Sequence, residues 1–209
     1  MAKTKPFDKN TKLYEQWFTR NNAVYKSELK AIRHFIPGQG KGIEIGIGSG
    51  LFAKPLGIRE GIDPSEEMIR LSEKRGLKVI KGVAEKLPFP DENYDYALMV
   101  TTICFVDDPE KALKEVYRIL KGNGLFIIAF VDKESETGKD YLKNKEKSLF
   151  YKDAVFFSTG EIINLLNETG FKNLDIVQTV FGKLDKIETI QDFSSGFGKG
   201  SFIVIKAIK

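Results

Sequence analysis

The stretch GIEIGIGSG, residues 42–50, decides the fold of this 209-residue chain. A short apolar run ends there in three alternating glycines, Gly46, Gly48 and Gly50. This pattern is typical of a β-strand that enters a turn and then a helix. In an open α/β sheet such a turn binds ligands, because the helix N-terminus presents backbone N–H groups and the missing Cβ atoms allow close approach. The turn alone indicates a nucleotide-like ligand.

Short strands and helices alternate after this turn. Apolar runs bounded by Gly, Pro and Asp predict the strands, and apolar residues at spacings of three and four predict the helices. This β-α-β-α alternation implies a parallel sheet with helices on both faces. We predict strands at 42–46, 58–63, 77–83, 94–101 and 125–131, and helices at 50–56, 65–75 and 109–120.

Other segments fall outside this alternation. Residues 9–36 carry a helical apolar stripe that Pro37-Gly38 ends, so we predict one helix there. Residues 133–153 are charged and interrupt the pattern, as an insertion does. A helix ending at Gly170 and two strands, 174–181 and 201–207, follow. The connection at 182–200 is long enough to be functional.

Composition narrows the class of protein. Apolar residues make up 42% and charged residues 30%, which indicates a globular chain. The net charge of +4 comes from 33 basic and 29 acidic residues without a basic block, which argues against a nucleic-acid partner. Cys104 and His34 are the only residues of their types, so we expect neither disulfides nor a catalytic transition metal. Without a signal peptide or an apolar span, we expect a cytoplasmic protein that does not enter a membrane.

The spacing of the glycines separates two kinds of ligand. The dinucleotide fingerprint G-x-G-x-x-G requires a small third residue, and Leu51 occupies that position. The sequence instead reads E-x-G-x-G-x-G from Glu44 to Gly50. It thereby resembles the class I S-adenosylmethionine-dependent methyltransferases, whose first motif is (D/E)-x-G-x-G-x-G. The resemblance implies that the glycines face the methionine end of S-adenosylmethionine rather than a phosphate.

Three further stretches match this family in order. In GIDPSEEMI, Asp63 closes the second strand, where a carboxylate can accept hydrogen bonds from both ribose hydroxyls. The alternative is an aspartate that caps a turn before Pro64. The stretch from Gly82 to Phe89 resembles the family's adenine-binding segment, although Val83 replaces its Asp. The last match, residues 94–130, places Thr101 at the end of the fourth strand, as a cofactor contact or an ordinary strand residue.

The resemblance covers residues 30–207 and implies a specific fold. We expect a three-layer α/β/α sandwich whose mostly parallel seven-stranded sheet has the order 3-2-1-4-5-7-6, with the last strand antiparallel. Residues 1–209 would form one methyltransferase domain, with 1–36 as an N-terminal helical cap and 133–153 as a lid-like insertion. The expected cofactor-binding residues are Glu44, Gly46, Gly48, Gly50, Asp63, Pro64, Met68, Ala84, Glu85 and Thr101. Val83 and Leu87 could also pack on the adenine ring or belong to the core.

The implied function is methyl transfer from S-adenosylmethionine to a small-molecule acceptor, as in the methyltransferase type 11-like branch, with S-adenosylhomocysteine as product. An in-line displacement with a neutral leaving group needs alignment and exclusion of water more than acid catalysis, so no catalytic residue is assigned. Tyr14, Trp17 and Tyr25 could face the acceptor or pack in the core. Asp107 could bind a cationic amine or act as a base, or it could, like Asp108, cap the helix at Pro109.

Three other functions stay open. An RNA or protein methyltransferase would share this fold, but the chain has TTIC after the fourth strand instead of an N-P-P-Y-like motif. A nicotinamide-dependent oxidoreductase fits poorly with Leu51 and with the absence of an obvious Tyr-x-x-x-Lys pair. A non-catalytic S-adenosylmethionine-binding protein would have the same motifs. Oligomeric state is not predicted.

Overall fold

One mixed β-sheet organises residues 4–209, the part of the chain that the computed structural model describes. The strand order is β3-β2-β1-β4-β5-β8-β6-β7. The pairs from β3 to β5 are parallel, and β8 is antiparallel to both β5 and β6. The predicted order 3-2-1-4-5-7-6 is therefore confirmed, with one added edge strand. The strands are β1 Gly42–Ile45, β2 Glu60–Asp63, β3 Lys78–Lys81, β4 Tyr94–Val100, β5 Leu120–Val131, β6 Lys172–Thr179, β7 Ser194–Ser195 and β8 Phe202–Ile208.

Helices cover both faces of the sheet. α6 and α8 pack against each other on one face, and α3 packs against β6 and β8 on the other. No described helix is long and apolar enough to cross a bilayer. The helices are α1 Lys5–Lys9, α2 Thr11–Arg20, α3 Asn22–Arg33, α4 Ala53–Leu56, α5 Glu66–Lys74, α6 Pro109–Ile119, α7 Glu136–Asn144 and α8 Thr159–Thr169.

Side-chain caps fix the starts of the helices that flank the sheet. The Ser65 hydroxyl accepts a hydrogen bond from the Met68 amide at 3.2 Å and begins α5. Asp108 begins α6 by accepting from the Lys111 amide at 3.0 Å. These contacts satisfy amides that have no partner inside the helix, and each cap contributes about 1 kcal/mol. The predicted capping role of Asp108 is confirmed.

The single helix predicted over residues 9–36 is wrong. The structure has three helices there, because Asn10 and Asn21 leave the helical conformation at φ −132° and −103°. Each asparagine side chain donates a hydrogen bond to the backbone oxygen four residues earlier, Pro6 and Trp17 respectively. Such local bonds compete with helix continuation. The chain therefore bends twice before it reaches β1.

Two connections also differ from expectation. Residues 133–153 contain α7, whose N-cap Ser135 accepts from the Gly138 amide at 3.0 Å. The long connection at 182–200 packs on α3: the Gln191 amide donates to the Ser27 hydroxyl at 2.8 Å, and the Phe193 ring lies 4.7 Å from the His34 ring. His34 is thus part of a packing contact at the end of α3.

Candidate functional site

A cavity of about 780 Å³ lies at the carboxyl ends of β1, β2 and β4. Parallel strands present loops and helix N-termini at this edge, so ligands of open α/β sheets bind there. The floor comes from the turn after β1, the end of β2, residues 82–85 after β3, and the end of β4. The cover comes from α1, α2 and residues 141–151. No residue of 182–200 lines this cavity, so the expectation of a functional loop there has no support from its position.

The three glycines after β1 serve different needs. All have positive φ, +72° at Gly46, +55° at Gly48 and +81° at Gly50, which favours glycine. A Cβ on Gly46 would lie 2.3 Å from the Thr102 side chain, and one on Gly50 would lie 2.3 Å from Leu77 Cδ1. A Cβ on Gly48 would meet only the Tyr14 hydroxyl, at 3.5 Å. Gly46 and Gly50 are therefore required by packing, whereas Gly48 keeps space open in the cavity wall.

Asp63 joins the turn after β1 to the start of α5. Its Oδ2 accepts from the Gly48 amide at 2.8 Å, and its Oδ1 accepts from the Ser65 amide at 2.9 Å. Burial raises the pKa of this carboxyl to about 6, although both hydrogen bonds favour the ionised form. Each oxygen retains a second lone pair, and the residue lines the cavity. The structure therefore gives Asp63 both the turn-forming role and a position where a hydroxyl-bearing ligand can reach it.

Glu44 lies behind the glycine turn and not in the cavity wall. The side chain is buried, accepts a hydrogen bond from the Ala53 amide, and leaves Oε2 without a partner among the described residues. Burial raises its pKa well above the usual range. Its bond to Ala53 holds the start of α4 against β1. Of the ten predicted cofactor-binding residues, Glu44 and Gly50 do not line the cavity.

The segment after β3 forms another part of the floor. Met68, Val83 and Ala84 line the cavity, whereas Leu87 belongs to the core beneath it. The Glu85 carboxylate accepts from the Asp107 amide at 2.7 Å, which joins this segment to the loop before α6. Pro64, the remaining predicted residue near this edge, also lines the cavity.

Thr101 directly follows β4 and has a strained backbone conformation. Its φ is +47°, which is rare for a β-branched residue, and its amide donates to the Ala129 carbonyl at 2.7 Å. Such strain costs about 1–3 kcal/mol and is common at ligand sites. Thr101 lines the cavity, and the next residue, Thr102, donates from its hydroxyl to the Gly46 carbonyl at 3.3 Å. The end of β4 is thereby tied to the glycine turn.

The first two helices are fastened across the cavity by polar contacts. Asp8 of α1 accepts from the Ser65 hydroxyl at 2.6 Å. Glu15 of α2 accepts from the Ser49 hydroxyl and pairs with Arg75 at the end of α5. These contacts join α1 and α2 to the glycine turn and to α5. We call α1 and α2, residues 5–20, the helical cover.

Aromatic rings complete this cover. Tyr14 and Trp17 of α2 line the cavity, and burial together with the charge of Asp63 raises the pKa of Tyr14 above its ordinary value. The Phe7 ring lies 5.1 Å from Phe105 and 5.4 Å from Phe150, so the helical cover meets residues 141–151 through rings. These edge and tilted arrangements are those that aromatic pairs prefer.

Two predicted acceptor residues have other surroundings. Tyr25 does not line the cavity: its hydroxyl donates to the Leu51 carbonyl at 2.5 Å, and its ring packs on Phe52. Asp107 lines the cavity at its exposed rim. The four residues expected to face an acceptor are thus divided, with Tyr14, Trp17 and Asp107 in the wall and Tyr25 behind it.

Glu28 of α3 is a cavity residue that the sequence analysis missed. Only 7% of it is exposed, it lines the cavity, and burial raises its pKa to about 8. A signal was present, because Glu28 interrupts the apolar stripe four residues after Val24 and four before Ile32. A carboxylate in that position faces the interior. Glutamate is common throughout the chain, so this one buried glutamate did not stand out in the sequence.

Comparison with protein families gives one match. Residues 43–128 match the model described as a methyltransferase domain. This range begins in β1 and ends in β5, so it includes the glycine turn, Asp63 and Thr101. It contains the floor of the cavity and leaves the helical cover outside.

Individual relatives match nearly the whole chain. A Thermotoga maritima crystal structure of an S-adenosylmethionine-dependent methyltransferase, described as a possible histamine N-methyltransferase, is 50% identical, covers 99% of both chains and has a TM-score of 0.96. An uncharacterized protein of Methanocaldococcus jannaschii is 45% identical over 97% of this chain and 98% of its own length. An S-adenosylmethionine-dependent methyltransferase from Archaeoglobus fulgidus shares the fold, with a TM-score of 0.73 at 19% identity over 96% and 100% of the two chains.

Proposed function

Because the chain belongs to the S-adenosylmethionine-dependent methyltransferase family, we propose that it transfers the methyl group of S-adenosylmethionine to a small-molecule acceptor enclosed in the cavity. The observation that carries this proposal is the continuous cavity of about 780 Å³, which joins the glycine turn to an aromatic cover. Sites for small molecules and cofactors typically measure about 300–1,000 Å³. A cofactor and a compact acceptor share a volume of that size, whereas a folded protein or an RNA duplex requires an open surface.

The residues present fit S-adenosylmethionine. Gly48 keeps space free beside the turn, and Gly46 lines the cavity next to it. Asp63 has free lone pairs for ribose hydroxyls, and Met68 and Val83 offer apolar contact to an adenine ring. When bound, the cofactor supplies a methyl group on a positively charged sulfur, an electrophile that needs no acid catalyst.

The chain's contribution to such a reaction is enclosure and alignment. We propose that residues 1–36 act as a cap and residues 133–153 as a lid over the acceptor, because their rings meet above the cavity through Phe7 and Phe150. An apolar cover excludes water and holds the acceptor near the methyl donor. The Thermotoga maritima relative is described as a possible histamine N-methyltransferase, which makes a small organic amine one acceptor class to test.

Calorimetric titration with S-adenosylhomocysteine tests the cofactor assignment, with NAD as the control ligand. We expect S-adenosylhomocysteine to bind and NAD not to bind. Asp63→Asn, which keeps the size of the side chain but removes its charge, should weaken binding by about 1–3 kcal/mol. Asp175→Asn, on an exposed strand position, is the matched control. Tight binding of NAD, or an unaltered affinity in Asp63→Asn, would refute the assigned cofactor or ribose contact.

A further inference from the structure

Glu28 is a buried carboxylate that has no partner among the described residues. Neither of its oxygens has a hydrogen bond or an ion pair within residues 4–209. Arg20 and Lys111 also line the cavity, but burial alone sets the pKa of Glu28, so neither cation compensates its charge. A buried ionised group without a partner is costly, and proteins normally pair it or replace it. Stability therefore gives no reason for a glutamate at this position.

Aromatic side chains share the cavity with Glu28. Tyr14 of α2, Tyr141 of α7 and Tyr151 of the segment after α7 line the cavity together with Glu28, and Tyr25 lies on α3 with it. Burial raises the pKa of each of these tyrosines, so all four are neutral at physiological pH. Glu28 is thus an acidic side chain in a cavity that neutral tyrosines from several elements line.

Glu28 shares the cavity with the glycine turn. The Tyr14 hydroxyl lies beside Gly48, since a Cβ there would be 3.5 Å away, and Gly48, Tyr14 and Glu28 all line the cavity. A compact molecule that contacts Glu28 would lie under the helical cover, beside the cofactor floor.

We propose that Glu28 binds the amino group of an amine acceptor in its ammonium form and takes up the proton that this group must lose before it can be methylated. This inference rests on the proposed function, and it identifies the acceptor as a primary or secondary amine with an aromatic or apolar body. The ammonium form supplies the charge that the buried carboxylate lacks. Trp17 and Tyr141 in the cavity wall offer faces for the body of the molecule and for its cation.

The proposed step balances in atoms and charge. The bound ammonium first passes one N–H proton to the Glu28 carboxylate, which becomes a neutral acid and leaves a lone pair on the amine nitrogen. That lone pair forms a bond to the methyl carbon, the carbon–sulfur bond breaks, and the sulfur keeps the bonding pair as a neutral thioether. The product carries the positive charge as a methylated ammonium. A base is most effective when its pKa lies near the working pH, and burial places the pKa of Glu28 at about 8.

Matched pairs of amines and alcohols test this assignment. The protein saturated with S-adenosylhomocysteine is titrated with phenethylamine and 2-phenylethanol, and with tryptamine and tryptophol, by calorimetry at pH 7.5. We expect the wild type to prefer at least one amine over its alcohol at least tenfold. Glu28→Gln, of the same shape, should lose that preference, and Glu188→Gln, on the exposed 182–200 connection, should retain it.

The outcomes separate the two proposals. Failure of S-adenosylhomocysteine to bind the wild type overturns the proposed function itself. Binding of S-adenosylhomocysteine without any amine preference in the wild type overturns the role of Glu28. An amine preference that persists in Glu28→Gln overturns it as well, and unchanged affinity of that variant for S-adenosylhomocysteine shows that it is folded.

Discussion

At the scale of single residues, the three glycines after β1 have different roles: two are needed for packing of the protein, and one leaves space for a ligand. Gly46 faces Thr102 and Gly50 faces Leu77, so their bare backbones are demanded by the protein's own side chains. Gly48 faces the cavity and the Tyr14 hydroxyl. The three glycines form one motif in the sequence, but the physical reason for having glycine differs from position to position.

We expect Gly48→Ala to fold but to bind S-adenosylhomocysteine at least tenfold more weakly. The added methyl group occupies cavity space, and the positive φ costs roughly 1 kcal/mol. Gly46→Ala should instead lower the melting temperature strongly, since its Cβ would lie 2.3 Å from Thr102. Thermal unfolding and calorimetry measure both effects. Gly122→Ala, where no atom lies within 4 Å, is the control. Wild-type affinity in Gly48→Ala would contradict this division.

The residues of the site also differ in whether the sequence alone could identify them. Gly48 and Asp63 were identified because a strand, a turn and a helix place them at the sheet edge by local rules. Glu28 was missed because its role depends on α3 packing beneath residues from α2 and α7, which are distant in sequence. Tyr25 was assigned to the acceptor, but its hydroxyl is used by the Leu51 carbonyl, a contact 26 residues away.

At the scale of elements, the parallel half of the sheet followed from the alternation of strands and helices. The ends of helices were predictable where a capping side chain marks them, as at Ser65 and Asp108. The breaks at Asn10 and Asn21 were not, because apolar residues at helical spacing stand on both sides of Asn21, and Asn10 lies just before the first of them. Local side-chain bonds to the backbone outweighed the periodic pattern there.

The helical cover makes a kinetic prediction. Glu15→Gln removes the ion pair with Arg75 and weakens the contact with Ser49, so the cover should open more often. We expect S-adenosylhomocysteine to dissociate severalfold faster in stopped-flow measurements, while the free energy of unfolding changes by about 1 kcal/mol or less. Glu73→Gln, an exposed change on α5, should leave the rate unaltered. An unchanged dissociation rate in Glu15→Gln would show that this contact does not hold the cover closed.

At the scale of the whole molecule, buried carboxylates give stability an unusual dependence on pH. Burial raises the pKa of Glu28 to about 8 and of Asp63 to about 6, and it also raises the pKa of Glu44. A folded state that binds protons more tightly than the unfolded state loses stability as the pH rises through that interval. Carboxyls in salt bridges, such as Glu115, have a lowered pKa, so they make the free energy of unfolding depend on pH only below about pH 4.5.

We therefore expect the free energy of unfolding of the ligand-free protein to fall by roughly 2–4 kcal/mol between pH 5 and pH 8. Urea unfolding at several pH values measures it. Glu28→Gln should flatten the curve and be more stable than the wild type at pH 8, while Glu188→Gln should retain the wild-type slope. Stability that stays constant or increases over this range would contradict the assigned burial of these groups.

The position of β8 in the sheet bears on how the protein forms on the ribosome. β8 lies between β5 and β6, although it follows both in the chain, so β6 can pair only with the two-residue strand β7 until residues 202–208 have been synthesised. The strands that form the cavity floor, β1 to β5, are complete about 70 residues earlier. The nascent chain should therefore carry an assembled floor while β6 waits with an unpaired edge. During that interval the exposed edge of β6 is most prone to aggregation, and a chaperone that covers it has its largest effect.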